Sequence, residues 1–524
     1  MKKKKFEGGL SVQFSTALDE IGFGEKESLK RIYSMNKLSE AKNVANQQSS
    51  GKNDCHIEKK IVGSQCDGTG FNHFNDLDFL EIDNRVHVLC KYEKHCTEFA
   101  NETVTFQADG RKSPPGYVPL KLLKGKDETY KQLEYALVER DNETYLSSDN
   151  YLSKKEDLSQ NSNRCDCQII RQLSRAGPSI PKHIKQNPLA ERILSDLNLK
   201  DMDTDIVSAF PCDAGPIMEE WSSRERKNGW PSKETISHVA KLQAHVVPVG
   251  QRGSHNEDLL WRICFTLGEL HLVQNFNSIQ RKIFVLMKLI AKHFLKPICN
   301  DISSYVIKNV MFWISEEILE EEFHEENFVE ILRYSLSFLL KAVKTKQLQN
   351  YMIPSRNLFA GKFEDNDLCI QELTDVISKY INKPETLLHD LEPIFSDLKM
   401  GHKIETIERK ILDSLSTDEL VEMYVQMNNC KTPERMIHLN ILYKAIPFWN
   451  TDISGEILCS EPLCNTNINN FQNHIQHNNN NVLETCLNKS SSLSLNMSDV
   501  TMTHGDRNLF LFYHVFVFLP HCCM

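Results

Sequence analysis

Two aspartates one residue apart, Asp76 and Asp78, follow a Gly-Ser pair, Gly63-Ser64, with eleven residues between Ser64 and Asp76. The run Asp76-Leu77-Asp78-Phe79-Leu80 reads as the start of a strand, and a strand's period of two puts both carboxylates on one face. Paired oxygen ligands on a rigid strand suit Mg²⁺, which keeps several waters and shares its other positions with phosphate oxygens. A Gly-Ser turn offers backbone N–H groups and a hydroxyl to a phosphate, with no Cβ at the glycine to block close approach. Together these residues describe a nucleotidyl-transfer site. Asp-x-Asp alone is a weak signal, since it occurs four times, at Asp76/Asp78, Asp201/Asp203, Asp203/Asp205 and Asp365/Asp367. The preceding Gly-Ser pair and the apolar strand single out the first. Two-metal phosphoryl transfer also calls for a third carboxylate on a neighbouring strand. Asp205, just before Ile206-Val207-Ser208-Ala209-Phe210, is the candidate, with Asp203 as fallback.

The elements that must position these residues fall into two kinds. Between residues 61 and 216 short β-type runs recur at Phe79–Ile82, Val86–Leu89, Tyr117–Leu123 and Ile206–Phe210, and Asp127–Asn163 among them reads as a polar, poorly ordered excursion. After Trp230-Pro231-Ser232 the pattern turns helical: Ile279, Ile283, Leu286, Met287, Ile290 and Phe294 make one stripe, and further helices are expected at Ser303–Glu322, Phe328–Leu348, Asp367–Ile381 and Ile404–Asn428. Glu269 and His271 read as the polar face of an amphipathic helix, and Trp230 and Trp261 as packing residues. The fold class is therefore α+β: a mixed sheet with flanking helices, then an all-helical lobe. Four regions are expected: residues 1–60 as a basic start and long N-terminal helix, 61–232 as the sheet-bearing core, 233–448 as the helical lobe, and 449–524 as a disordered Asn/Ser-rich tail. In that tail nine of the 17 residues from Asn465 to Asn481 are Asn, a bias that forms no packed core.

Composition narrows the class further. With 524 residues and a net charge of −10, the chain is too large for a disulfide mini-protein and is not a polycation that coats nucleic acid, so any polyanion site must be a local basic patch. Lys26, Lys30, Arg31 and Lys37, on one side of the second half of the N-terminal helix, read on charge alone as a solvated helix face, and they are the candidates should such a patch exist. The start Met1–Gly9 lacks the apolar stretch of a secretory signal, and the longest apolar run, Leu509–Leu519, is well short of the ~20 residues a membrane span needs. The 16 cysteines form no pair of CxxC knuckles and read as reduced thiols, so a cytoplasmic or nuclear setting with no membrane span is expected.

Several longer motifs carry a resemblance. Gly63-Ser64 with Asp76-Leu77-Asp78 is followed by Pro115-Gly116-Tyr117-Val118-Pro119-Leu120, Val246-Val247-Pro248-Val249-Gly250 and Trp261-Arg262-Ile263-Cys264-Phe265. Ser303-Ser304-Tyr305 with Lys308, and Asn350-Tyr351-Met352-Ile353-Pro354 with Asn357-Leu358, continue the match. Over about residues 10 to 380 the chain resembles the male-abnormal-21 family, in particular the animal cyclic GMP-AMP synthase-like receptors. The resemblance implies a nucleotidyltransferase core joined to a helical lobe. It also implies an activity: on binding double-stranded RNA or DNA, with assembly of copies on that ligand, ATP and GTP are joined into a cyclic dinucleotide messenger of innate immunity. It assigns Gly63 and Ser64 to nucleotide phosphate, Asp76, Asp78 and Asp205 to two Mg²⁺ (or Mn²⁺) ions, and Arg262 to a base. It assigns Lys288 and Ser304 to phosphate and Tyr305 to stacking on a base. The zinc-binding His and Cys insertion of the vertebrate enzyme has no counterpart between Phe265 and Ile283. Double-stranded RNA, read by shape and phosphate contacts, or another trigger altogether is then at least as good an expectation as DNA.

Two other readings stand beside this one. A catalytically silent scaffold or developmental adaptor of the same fold would keep the pocket without turnover. A linear nucleotidyltransferase extending RNA ends fits less well, because Trp261-Arg262 and Ser304-Tyr305 belong to the cyclase-like pocket in the resemblance.

Overall fold

Burial alternates along Val86–Leu89 and Leu260–Cys264, so these runs fold as strands with one face in the core. The computed structural model describes residues 2–49, 56–71, 76–90, 104–125, 128–162, 170–172, 177–184, 202–363 and 367–429. The chain divides into two units, Met1–Ser39 with Lys52–His183 and Asp203–Glu405, and Glu40–Gly51 with Ile184–Met202 and Thr406–Met524. The sheet and the site belong to the first. In the second, the described residues include the helix Thr417–Asn429. The expected tail, residues 449–524, lies outside the described residues.

The strands are β1 (Ile57–Val62), β2 (Asp76–Asp83), β3 (Val86–Leu89), β4 (Val104–Ala108), β5 (Tyr117–Lys124), β6 (Leu137–Arg140), β7 (Glu143–Leu146), β8 (Ile170–Gln172), β9 (Ser179–Ile184), β10 (Met202–Asp213), β11 (Ala244–Val247) and β12 (Leu260–Cys264). They pair in the order β1-β2-β10-β11-β12-β5-β4-β3, with the β6–β7 hairpin on β5 and β8–β9 on β10. β10 is the pivot. Its first part runs parallel to β2, and its end pairs with β11 and also with β3, so β10, β11, β12, β5, β4 and β3 close a circuit. Phe210 and Trp261 pack inside it with Tyr151, at ring separations of 5.1–5.4 Å. β11 and β12 lie beyond residue 232, where only helices were expected. Their short apolar runs, Ala244–Val247 and Leu260–Cys264, pair with β10 and β5 and complete the sheet.

The helices that frame the sheet are α1 (Lys2–Glu20) and α2 (Glu25–Ser49), parted at Gly22-Phe23-Gly24, where Gly22 has φ +89°. Phe14 of α1 stacks on Phe328. The four-residue turn α3 (Gly63–Cys66) joins β1 to β2, and α4 (Glu128–Leu133) and α5 (Ser148–Ser162) flank β6 and β7. This last stretch covers the expected excursion Asp127–Asn163, which is instead built into the core. Leu133, Ala136, Leu146, Tyr151 and Leu152 are buried, and Trp261 Nε1 donates to Leu146 O at 2.9 Å. Its few apolar residues are filled in by partners distant in the chain, Phe210 and Trp261 among them, which local periodicity does not register.

After α6 (Gly215–Ser223) and α7 (Lys233–Val239), α8 (Thr266–Gln274) follows β12 directly. α9 (Ser278–Ile290) starts with a capping box in which Asn277 and Gln280 exchange backbone and side-chain bonds. It is buried from Ile279 to Ile290, so its three cations need internal partners. Arg281 donates to the carbonyls of Gln274 and Phe276, Lys282 to Ser15 and Asp19, and Lys288 to Thr69. α10 (Ser304–Glu317), α11 (Phe328–Thr345), α12 (Asp367–Asn382) and α13 (Pro384–Ser414) complete the helical region.

Candidate active site

The parallel register of β2 with β10 aligns Asp76 with Asp203 and Asp78 with Asp205. Alternate strand positions share a face, so these four positions face one way on two adjacent strands. The third-carboxylate role thus has two structural candidates, Asp205 and Asp203, one register step apart. Val62, the last residue of β1, pairs with Asp78 from the other side, which brings Gly63 and Ser64 beside the same strand. Gly63 has φ +72°, and a Cβ built there would lie 1.8 Å from Asp78 Oδ2, so a side chain at this position would be strained and would have to displace the carboxylate. The Gly63 backbone therefore abuts the carboxylate.

Whether these residues fit a pair of hard cations is a question of donors. Among the described residues no group of three His, Cys, Asp or Glu side chains gathers to hold a metal ion. Asp78 and Asp205 supply carboxylates on neighbouring strands, and the backbone puts positions 76 and 203 in register beside them. An oxygen-only set that leaves room for water and phosphate suits Mg²⁺ rather than zinc.

Beyond Ser64 the chain passes through Asp67-Gly68-Thr69-Gly70, all buried. Asp67 accepts bonds from the Thr69 amide (2.9 Å) and hydroxyl. Burial raises its pKa above the ordinary aspartate value, against the opposing pull of Lys288, Thr69 and Lys308. Lys288 Nζ donates to Thr69 O at 2.8 Å and Thr69 Oγ1 at 3.2 Å and sits 4.8 Å from the Phe71 ring centre. The expected phosphate-contacting lysine is thus tied to the loop that follows Ser64. Asp67 and Thr69 are site neighbours that strand and turn patterns alone did not single out.

The remaining candidate residues come from strand β12 and from the helices α8 and α10. Arg262 and Cys264 share a face of β12, with Arg262 Nε 3.4 Å from Cys264 Sγ. Ser303 caps α10 by accepting from the Val306 amide, Ser304 is exposed at the first position, and Tyr305 follows half-buried. The Tyr305 hydroxyl donates to Glu269 Oε1 at 2.9 Å, and Lys308 Nζ lies 2.9 Å from Glu269 Oε2. Glu269 is buried at 5% exposure, so it is not the solvated face of α8 that its spacing suggested. Burial raises the Tyr305 phenol's pKa, and Glu269 adds to the effect. Burial depresses that of Lys308, but Glu269 outweighs it and the ammonium is favoured.

The candidate nucleic-acid residues separate. Lys26 and Lys30 of α2 are exposed, with Lys30 3.0 Å from Glu27, and Lys37 is partly exposed. Arg31 is buried at 2% exposure. Its Nη2 donates to Glu405 Oε2 at 2.8 Å, its Nη1 to Gly68 O at 3.0 Å, and its guanidinium lies over the Phe23 ring. Arg31 therefore is not part of an exposed basic face. It fastens α2 to the loop beside the site.

A mixed sheet with paired aspartates beside a Gly-Ser turn, followed by a helical region, is the architecture of a nucleotidyltransferase-type domain. The Mab-21 protein nucleotidyltransferase domain matches residues 94–275, and the Mab-21 protein HhH/H2TH-like domain matches residues 279–378. The chain belongs to the Mab-21 family. It is also 23% identical over 360 residues to a cyclic GMP-AMP synthase-like receptor of Magallana gigas, covering 65% of this chain and 54% of that protein, so it spans about half the length of the curated relative it matches. No helix among the described residues is long and apolar enough to cross a membrane.

Proposed function

We propose that the chain joins ATP and GTP into a cyclic dinucleotide in a metal-dependent reaction switched on by double-stranded nucleic acid. The observation that carries this reading is the β2–β10 register, with Asp205 opposite Asp78 and Gly63 pressed against Asp78. Two divalent cations held by Asp76, Asp78 and Asp205 would supply charge neutralisation for the triphosphate and the leaving pyrophosphate. Gly63 and Ser64 offer backbone N–H groups and a hydroxyl to phosphate oxygens. Tyr305 and Arg262 present a ring and a guanidinium to a base, and Ser304 stands exposed where α10 begins. In each of two rounds a sugar hydroxyl attacks an α-phosphorus, an O–P bond forms, the bond to pyrophosphate breaks, and the hydroxyl proton leaves to a carboxylate or to water. Lys26, Lys30 and Lys37 are the exposed cations offered to the duplex backbone, and copies would assemble on that duplex.

A silent scaffold is the second reading, and one observation favours it: Lys288 is spent on Thr69 rather than aimed at a ligand. Incubating the purified full chain with labelled ATP and GTP, Mg²⁺ or Mn²⁺, and duplex RNA or duplex DNA separates the two. A phosphatase-resistant dinucleotide made by the wild type with one duplex, and not by the Asp76→Ala/Asp78→Ala variant, is the expected result. No product with either duplex and either metal would move the assignment to the scaffold.

A further inference from the structure

Glu269 has no role in the transfer chemistry described above, yet it is a buried carboxylate at the junction of the strand and helical walls. It lies on the first turn of α8, its amide bonded to Phe265 O at 2.8 Å, five residues after the strand position that carries Trp261-Arg262-Ile263-Cys264 into the helix. Each of its oxygens has a separate partner on α10: Oε1 takes the Tyr305 phenol and Oε2 the Lys308 ammonium, both at 2.9 Å. The phenol oxygen also accepts from Asn350 Nδ2 at 2.9 Å, and Asn350 is itself held by Asn309 Oδ1 at 3.3 Å. A phenol bonded on both sides of its oxygen prefers partners near the ring plane, so the two bonds restrain that plane. Lys308 Nζ stands 5.1 Å from the Tyr305 ring centre, and with Glu269 as its counter-ion it is held against the protein.

We infer that Glu269 is a positioning residue: it fixes the plane of Tyr305 and holds Lys308 over one face of the ring, so that a base is met by the other face in a set orientation. The inference rests on the proposed nucleotide-binding reading and deepens it, because an oriented face favours the larger π-surface of a purine. Stacking of a base on an aromatic side chain is sequence-tolerant in kind but graded by ring size, and truncation of the aromatic residue costs roughly 5- to 150-fold in affinity.

The test titrates ATP, GTP, CTP and UTP, each with Mg²⁺, into full-length wild type, Glu269→Ala, Glu269→Gln, Tyr305→Ala and the Glu269→Ala/Tyr305→Ala double variant. Glu269→Ala is expected to lose about 10-fold in purine affinity with pyrimidine affinity changed less than about 2-fold. Glu269→Gln, which still accepts from the phenol, should recover most of the purine preference. In the Tyr305→Ala background Glu269→Ala should add little, because residues acting through one another are not additive. Equal losses for all four nucleotides, additivity in the double variant, or an unchanged Glu269→Ala would overturn the inference while leaving the nucleotide reading in place. A wild type that binds none of the four would overturn both. Should Glu269→Ala fail to fold, the comparison of Glu269→Gln with wild type carries the test: a purine preference lost in Gln as completely as in Tyr305→Ala sinks the idea.

Discussion

On β2 and β10 a site residue's place follows from counting by two, whereas on α8, α9 and α10 it follows from which distant side chain completes a bond. Asp78 and Asp205 oppose each other because parallel strands run in register. Tyr305, Lys308 and Lys288 are set by Glu269 and Thr69, which lie 36, 39 and 219 residues away in the chain. The strand side is ordered by backbone pairing, and the helical side by bonds between distant side chains. Substitutions should therefore act on chemistry in the first region and on orientation or folding in the second.

The largest expected effect tests the helical side's dependence on buried partners. Arg31→Ala removes the buried guanidinium that Glu405 accepts from and should cost about 3–5 kcal/mol in denaturant unfolding, whereas Lys30→Ala, which removes an exposed pair, should cost within about 1 kcal/mol. Similar costs for the two would erase the distinction between the inward and outward sides of α2. Next comes the contrast in turnover. Asp78→Asn should lower transfer by about 10²–10³-fold, read in the labelled-nucleotide assay. Tyr305→Phe, whose hydroxyl is spent on Glu269 and Asn350, should lower it about 10-fold or less. A larger loss from the phenol than from the carboxylate would invert the comparison.

The smallest effect concerns the segment that local periodicity left out of the fold. Burial would raise the pKa of Glu81 on β2, but Lys155 of α5 and Lys59 outweigh it and hold the carboxyl down at about 2. Because the folded pKa is depressed below the ordinary value of 4.5, the stability it contributes is present above that pH and is lost as pH falls toward about 2. Lys155→Met should raise the acid-unfolding midpoint by roughly half a pH unit, read by circular dichroism across that window. An unmoved midpoint would mean that α5 is only loosely tied to β2.

These contrasts explain how much was legible in advance. The sheet-then-helix order, the strands around Phe79, Val86, Tyr117 and Ile206, and the helices near Phe328 and Asp367 follow from periods of two and 3.6, which survive without knowledge of partners. The family resemblance covered the same ground. Arg31 could have been placed from the chain alone, because Ser28, Arg31, Met35 and Leu38 recur at three- and four-residue steps and all are buried. Its charge drew it into a basic patch, while its spacing put it on the inward stripe. Glu269 carried a fainter sign, a carboxylate whose phenol and cation partners, Tyr305 and Lys308, sit one turn apart on another helix. Nothing in its own helix marks that pairing. β11 and β12 were missed for a related reason: four- and five-residue apolar runs between helices become strands only when β10 and β5 offer them edges.

Gly63 has one more consequence, and it concerns descent rather than energy. Every codon change that replaces this glycine introduces a side chain where the Asp78 carboxylate already lies. A lineage that had given up the carboxylate pair would keep only the backbone half of that restriction, the strain of a side chain at positive φ. A lineage that still needs the pair would keep both halves. The residue at position 63 therefore acts as a record of use, readable in any related chain without an assay.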